Sequence, residues 1–139
     1  MTRPSLIERV SARENWRLTA QRRVVAEVLD GQHVHLSADE VLERAQRRLP
    51  EISLATIYNT LNELVAMGEV REFRGRAGGV RYDPNADGHH HLVCDGCGAV
   101  TEAPPELLDA VAARLRRDHD FRLDPGATPL HGLCASCSR

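Results

Sequence analysis

The stretch SLATIYNTLNELVAMGEVREFRGRAGGVRYD, residues 53–83, decides the fold of this chain. Ser53 can cap a helix, apolar residues then recur at helical spacing up to Gly68, and two short β-prone runs follow around a turn rich in arginine and glycine. Further helices are predicted upstream, beginning near residue 6, after Thr19 and after Ser37. This order of helices followed by a hairpin predicts a winged helix-turn-helix domain.

The chain downstream of the hairpin predicts a second, smaller α/β domain. The segment PNADG, residues 84–88, is typical of a hinge. Strands are predicted near residues 89–94, 99–102, 121–123 and 130–133, with a helix after Pro104 and Pro105. We therefore predict an α+β protein with a winged helix-turn-helix domain at residues 1–83, a hinge at residues 84–88 and an α/β domain at residues 89–139.

Composition and charge permit DNA binding without requiring it. The net charge is −2 and the pI is about 6.4, which is below the range typical of strongly basic DNA-binding domains. The chain has no lysine, and residues 1–82 are slightly basic while residues 83–139 are acidic. It shows no run of apolar residues typical of a signal peptide or a membrane span. We expect a cytoplasmic protein without a membrane partner.

The four cysteines form two CxxC pairs, Cys94 with Cys97 and Cys134 with Cys137, separated by 36 residues. Each CxxC turn brings two thiolates close together, and two such turns supply the four ligands of a tetrahedral structural Zn²⁺ site. A redox-active dithiol is the alternative, but that chemistry requires only one CxxC pair, at the start of a helix. The spacing favours structural zinc.

The histidines of HHHLVC, residues 89–94, require a separate explanation once the cysteines are assigned to zinc. Alternate side chains of a strand share a face, so His89 and His91 point one way and His90 the other. Two imidazoles supply half of a site for Fe²⁺, Mn²⁺, Zn²⁺ or Ni²⁺. The side chains that could complete it are Asp83, Glu102 and, from an upstream loop, His33 or His35. The alternative is a set of solvated histidines without a role.

The helix that begins at Ser53 carries small, hydroxyl and amide side chains on its outward face. Such side chains suit the DNA major groove, where asparagine pairs with adenine and threonine contacts the thymine methyl group. The outward residues are Ala55, Thr56, Tyr58, Asn59 and Asn62. Arginines placed for phosphate contacts are Arg17, Arg22, Arg23, Arg74 and Arg76. An ordinary solvated surface is the alternative for both sets.

These motifs together resemble the ferric uptake regulator family. The resemblance runs in order through WRLTAQRRVVAEVL, HLSADEV, LPEISLATIYNTLNELVAMGEV, RYDPNADGHHHLVCDGCGAV and GLCASC, and so covers nearly the whole chain. It implies a homodimeric, metal-dependent transcriptional repressor that binds a double-stranded DNA operator. It also implies that residues 89–139 form the dimerisation domain.

The resemblance also implies which residues bind metal and DNA. The structural Zn²⁺ ligands are Cys94, Cys97, Cys134 and Cys137, and the regulatory Fe²⁺ or Mn²⁺ ligands are His35, Asp83, His89, His91 and Glu102. Tyr58 matches a DNA-contacting position, which adds to Arg17, Arg22, Thr56 and Asn59. Within the segment DPGATPLHG, this chain lacks the histidine that usually ligates the family's further metal site, so that site is not predicted.

The segments AQRRVVAEVLDG, HVHL and RYDPNA most resemble the peroxide-responsive branch of the family, particularly actinobacterial regulators of catalase expression. Glu102, however, is the residue that iron sensors carry where peroxide sensors often carry aspartate. Both iron or manganese sensing and peroxide sensing therefore remain open, with control of metal-homeostasis or oxidative-stress genes.

Three other interpretations compete with this one. The first is a zinc- or nickel-sensing repressor on the same scaffold. The second is a zinc-dependent hydrolase, against which the chain has no HExxH motif. The third is a zinc-bound interaction module without DNA binding. We predict no catalytic residue and no small-molecule ligand other than the metal ions and peroxide.

Overall fold

Along the part of the chain that the structure describes, four helices are followed by a β-hairpin, two further strands, a helix and a last strand. The computed structural model describes residues 4–30, 35–84, 89–123 and 129–139. Within them the elements are α1 Leu6–Ser11, α2 Ala20–Leu29, α3 Ala38–Gln46, α4 Leu54–Ala66, β1 Arg71–Arg74, β2 Val80–Asp83, β3 His90–Cys94, β4 Val100–Ala103, α5 Asp109–His119 and β5 Leu130–Gly132. The α+β class is confirmed. No helix of the described part of the chain is long and apolar enough to cross a membrane.

Side-chain caps define where three of the helices begin. The hydroxyl oxygens of Thr19, Ser37 and Ser53 each accept a hydrogen bond from the backbone N–H three residues later, at the start of α2, α3 and α4 respectively. Such caps satisfy N–H groups that have no partner within the helix. Gly68 follows α4 with φ +77°, a left-handed conformation that suits glycine at the end of a helix.

The four N-terminal helices pack around one apolar core. Each contributes the residues that its helical periodicity places on one face, and Val70 and Tyr82 extend the core toward the hairpin. The fully buried members include Val25, Leu29, Val41, Ile57, Leu61 and Leu64. Complete burial of one such side chain contributes about 1.5–3 kcal/mol to folding, so this core is the main source of stability for the helices.

The chain divides into two compact units. One comprises Met1–Glu72 and Val80–Ala86, and the other comprises Phe73–Gly79 and Asp87–Arg139. The hairpin of β1 and β2 therefore contributes its tip to the second unit. The domain limits at residues 1–83 and 89–139 stay predictions, and residues 85–88 of the predicted hinge lie outside the described residues.

The second unit contains a three-stranded sheet in the order β4-β3-β5, in which β3 pairs antiparallel with β4 and parallel with β5. The predicted strand near residues 121–123 is wrong, because these residues form no strand. They follow the end of α5, where Asp120 has φ 49° and the Phe121 N–H donates to the Leu115 carbonyl at 3.1 Å. This backbone is engaged in terminating the helix rather than in extending the sheet.

Candidate metal and nucleic-acid sites

The four cysteine sulfur atoms converge at one edge of the sheet. Parallel pairing of β3 with β5 sets Cys94 opposite Gly132, so the C-terminal CxxC turn lies beside the first one. All four Sγ atoms lie within 4.8 Å of one another, and Cys97 Sγ is 3.9 Å from Cys134 Sγ. Tetrahedral zinc with Zn–S bonds of about 2.3 Å requires S···S separations of about 3.8 Å. The cluster therefore fits a single zinc ion.

The electrostatics of the cluster also favour a cation. The backbone N–H groups of Cys134 and Cys97 point at Cys94 Sγ, at 3.3 Å and 3.5 Å, and they lower the pKa of Cys94 to about 6. The pKa of Cys137 is raised to about 12, chiefly because its thiol donates to Cys134 and then to Cys94. Four thiolates cannot coexist at these separations without a positive charge between them.

Gly96 permits the two cysteine turns to approach each other. A Cβ at this position would stand 2.9 Å from Cys137 Sγ and 3.0 Å from Cys137 Cβ. A larger residue therefore fits here only if the side chain of Cys137 moves. Sequence reasoning missed this requirement, although a glycine inside a CxxC turn is a visible signal of close backbone approach.

Replacement of Gly96 with alanine is therefore expected to weaken zinc binding about tenfold, because overpacking of this size costs about 1–3 kcal/mol. Competition with a chromogenic zinc chelator measures the effect. Gly132→Ala is the matched control, since a Cβ there would meet no atom of the described residues within 4 Å. Equal zinc affinities for the two variants would contradict this account of Gly96.

The second unit contributes two histidines and one carboxylate of the predicted regulatory site. Antiparallel pairing of β3 with β4 sets His91 directly opposite Glu102. The Nε2 atoms of His89 and His91 are 3.1 Å apart, and His89 Nε2 is 3.5 Å from Glu102 Oε1. Both imidazoles are buried, and three donor atoms of neutral or negative character thus converge in a desolvated place. Such a nitrogen and oxygen set suits a divalent transition-metal ion.

His90, between these two histidines, has a different environment. Its Nε2 lies 3.1 Å from the Pro105 carbonyl oxygen, on the segment that leads into α5. Because successive side chains of a strand point to opposite faces, His90 points toward the segment that leads into α5, away from the His89–His91 pair.

The first unit contributes His35 and Asp83, whose Nε2 and Oδ2 atoms are 3.5 Å apart. An isolated antiparallel bridge between Leu36 and Tyr82 holds the two segments together, with N···O distances of 3.3 and 2.8 Å. Asp83 is fully buried, and a carboxylate is kept in such a place only when other groups or a cation compensate its charge. His33, the other upstream candidate, lies outside the described residues.

Arg81 supports this pair although the sequence analysis did not select it. Its guanidinium donates to the His35 carbonyl oxygen at 2.7 Å and lies 3.1 Å from Glu40 Oε1. Glu40 in turn belongs to the capping box of α3 with Ser37. Arg81 therefore ties the backbone of His35 both to β2 and to the start of α3.

The outward face of α4 carries the predicted DNA-binding residues. Tyr58 and Asn59 are exposed, whereas Thr56 is half-buried and its hydroxyl lies 3.0 Å from Ser53 Oγ. Tyr58 is 43 % exposed, a large fraction for an aromatic side chain on a helix. A single helix face of this kind has the size and polarity required for entry into the major groove.

Arg17 and Arg22, two of the arginines predicted to contact phosphate, have different surroundings. Arg17 is exposed. Arg22 is half-buried, forms an ion pair with Glu63 at 2.9 Å, donates to the Arg17 carbonyl oxygen and lies over the Trp16 ring at 4.7 Å. Trp16 Nε1 also donates to Glu63. This network joins α2 to α4, so Arg22 positions the two helices, while its contact with DNA stays a prediction.

Residues 13–127 match the family model described as the ferric uptake regulator family. The chain belongs to this family. A ferric uptake regulation protein of Bacillus subtilis is 37% identical over 129 residues, which cover 89% of this chain and 87% of that protein. The peroxide-responsive repressor PerR of Staphylococcus epidermidis is 31% identical over 121 residues, covering 87% and 81% of the two chains.

The fold agrees with the family assignment. The solved structure of a zinc-bound manganese uptake regulator superposes with a TM-score of 0.70 at 30% identity, covering 94% of this chain and 99% of that chain. Members of the ferric uptake regulator family are transcription regulators and not enzymes, which agrees with the absence of a predicted catalytic residue.

Proposed function

We propose that this chain is a homodimeric, metal-dependent repressor that binds double-stranded DNA and responds to iron or manganese, or to peroxide. The observation that carries the proposal is the presence of two clusters with different donor chemistry. One is made of four cysteine sulfur atoms, and the other donors are imidazoles and carboxylates, of which His89, His91 and Asp83 are buried. A closed sulfur shell suits a permanent ion, whereas nitrogen and oxygen ligands suit an ion that exchanges.

The sulfur cluster is proposed to hold structural Zn²⁺ on Cys94, Cys97, Cys134 and Cys137. The distances between its sulfur atoms support this assignment, as does the similarity of the chain to a zinc-bound manganese uptake regulator. When bound, zinc supplies a neutralising charge and a fixed link between β3 and the C-terminal segment. The residues themselves perform no chemical step, because no position of the shell remains for a substrate.

The regulatory ion, Fe²⁺ or Mn²⁺, is proposed to be held by His35, Asp83, His89, His91 and Glu102 together. Each half of this set is formed by strand pairing inside its own unit, which supports its use as a preformed half-site. An ion bound to all five would link the first unit to the second. It would then favour one arrangement of the two recognition helices, and a near-complete switch requires about 5.5 kcal/mol of differential affinity.

DNA contacts are proposed for Thr56, Tyr58 and Asn59 on α4, and for Arg17 and Arg22 on the phosphates. Exposure of Tyr58, Asn59 and Arg17 supports the proposal. A repressor with one such helix per chain requires two chains, because two half-sites about 34 Å apart are read along one face of the duplex.

The second unit offers a surface for a second copy of this chain. Helix α5 has no buried residue, although its apolar side chains recur at helical spacing. Large apolar side chains of this unit that are about half exposed are Leu107, Val111, Phe121 and Leu133. A groove of about 260 Å³, which Leu92 and Leu130 help to line, lies along β3 and β5 of the same unit. An exposed apolar surface of this kind supports a dimer interface.

The test begins with zinc-loaded, otherwise metal-free protein and a library of random duplex DNA. Selection and then fluorescence anisotropy are performed with Mn²⁺, Fe²⁺, Zn²⁺ or Ni²⁺ across a salt series. We expect Mn²⁺ or Fe²⁺ to raise the DNA affinity about 100-fold or more, with a negative slope of affinity against salt concentration. DNA binding that is complete without an added ion, or that is absent throughout, would overturn the proposal.

The same assay separates the remaining alternatives. A preference for Zn²⁺ or Ni²⁺ would establish the zinc- or nickel-sensing alternative on the same scaffold. A peroxide arm with the ferrous protein, followed by mass spectrometry of residues 83–102 for added oxygen, distinguishes peroxide sensing from iron sensing. Oxygen added to a histidine together with loss of DNA binding would indicate peroxide sensing despite Glu102.

A further inference from the structure

The ring of Phe73 is stacked on the ring of His91. Their centroids are 4.0 Å apart and their planes differ by 10°. Both side chains are buried, at 3 % and 1 % exposure. Phe73 lies in β1 of the hairpin, and residues 73–79 group with His91 in the second unit. A residue of the hairpin is therefore in face-to-face contact with a residue of the proposed regulatory site.

Arg76, at the hairpin tip, also lies close to Gly98 of the same unit. The position that a Cβ on Gly98 would take is 3.4 Å from Arg76 Cδ. Gly98 directly follows Cys97 of the sulfur cluster, and its φ of +80° suits glycine. At its other end the hairpin follows α4 closely, since the Val70 N–H donates to the Leu64 carbonyl oxygen at 3.3 Å. The hairpin is thus anchored on the metal-binding unit and continuous with the proposed recognition helix.

The stack has a physical reason to respond to metal. His91 directs Nε2 toward His89 Nε2, so its ring face remains against Phe73 when Nε2 binds an ion. A divalent ion withdraws electron density from the imidazole, and an electron-poor ring is attracted more strongly to the negative face of benzene. Phe73 therefore stabilises the metal-bound form of His91 more than the metal-free form, which is the differential interaction that coupling requires.

We infer that Phe73 is a positioning residue that couples metal occupancy at His91 to the hairpin. Occupancy of the site strengthens the stack and holds residues 73–79 in place. Because such coupling is reciprocal, a hairpin held in place against His91 raises the affinity of the site for its ion by the same factor. The inference rests on the proposed function, because it requires that His91 bind the regulatory ion.

The test replaces Phe73 with pentafluorophenylalanine, which preserves the shape of the ring closely but reverses the charge distribution of its face. The full-length, zinc-loaded protein is titrated with Mn²⁺ against a fluorescent chelator, and amide hydrogen exchange of residues 74–79 is measured with and without Mn²⁺. We expect a two- to tenfold weaker Mn²⁺ affinity, in line with the strength of an aromatic stack, and loss of the Mn²⁺-dependent protection of the hairpin. Phe73→Leu, which removes the ring and its attraction for the metal-bound imidazole, should also weaken Mn²⁺ binding.

The chain provides a matched control, because its only other phenylalanine, Phe121, is 55 % exposed. Pentafluorophenylalanine at position 121 should leave both measurements unchanged. If wild-type protein binds Mn²⁺ and protects the hairpin, and the variant at position 73 does the same with equal affinity, the coupling role of Phe73 is overturned while the proposed function stands. If wild-type protein binds no second ion, the proposed function fails and the inference fails with it.

Discussion

Replacement of His91 with alanine is expected to abolish the response of DNA affinity to Mn²⁺ or Fe²⁺. His91 is almost completely buried, pairs its Nε2 with that of His89 at 3.1 Å and lies opposite Glu102 across the sheet. Removal of a residue that only hydrogen-bonds to a metal ligand lowers metal affinity about 10–100-fold. Removal of a ligand itself should therefore lower metal affinity more than about 100-fold. The variant should therefore keep the weak DNA affinity of the metal-free protein at every Mn²⁺ concentration that saturates the wild type.

His119→Ala is the matched control for this experiment. His119 is the last residue of α5 and is exposed, so its loss should change neither metal affinity nor DNA affinity. Zinc content of the His91 variant should remain one ion per chain, because its sulfur cluster is intact. A His91 variant that still gains DNA affinity with Mn²⁺, as the wild type does, would remove His91 from the regulatory site.

Replacement of Cys94 with serine should have the largest effect on stability. Cys94 ends β3, is buried and accepts hydrogen bonds from two backbone N–H groups. Zinc binding to sites of this kind supplies about 10–16 kcal/mol, as much as the whole stability of a small domain. The second unit should therefore unfold, while the helices of the first unit keep their own apolar core.

The measurement is a two-dimensional amide NMR spectrum of the full chain, together with zinc content. Resonances of residues 89–139 should collapse into the unfolded range and those of α2 and α4 should persist. Ser136→Ala, inside the second CxxC turn, is the control and should keep the wild-type spectrum. A Cys94 variant with an intact sheet in its second unit would show that zinc is not the main support of this unit.

Several features could be predicted from local pattern alone. The helix caps at Thr19, Ser37 and Ser53 could be predicted because each hydroxyl residue directly precedes a helical pattern of apolar residues, where its oxygen can accept a hydrogen bond from a backbone N–H of the first turn. The two CxxC pairs indicated one sulfur cluster because turn geometry brings two thiolates together. The pairing of His89 with His91 followed from strand alternation.

Other features could not be predicted from the local pattern. The strand predicted near residues 121–123 does not form, and the Phe121 N–H instead donates to the Leu115 carbonyl oxygen at the end of α5. The contact of Arg22 with phosphate stays a prediction, and the sequence did not indicate that Glu63 and Trp16, which come close to it only after folding, lie against its guanidinium. Neither outcome leaves a periodic signal in the sequence.

The sequence by itself determined the type of each donor, the spacing that groups the cysteines and the alternation that separates His90 from its neighbours. Those properties depend on residue chemistry and on the repeat of one strand or turn. Only the tertiary structure decided that Gly96 must admit Cys137 and that Phe73 stacks on His91. Such contacts join segments far apart in the chain, and their geometry is set by how strands pair and side chains pack, which no local pattern records.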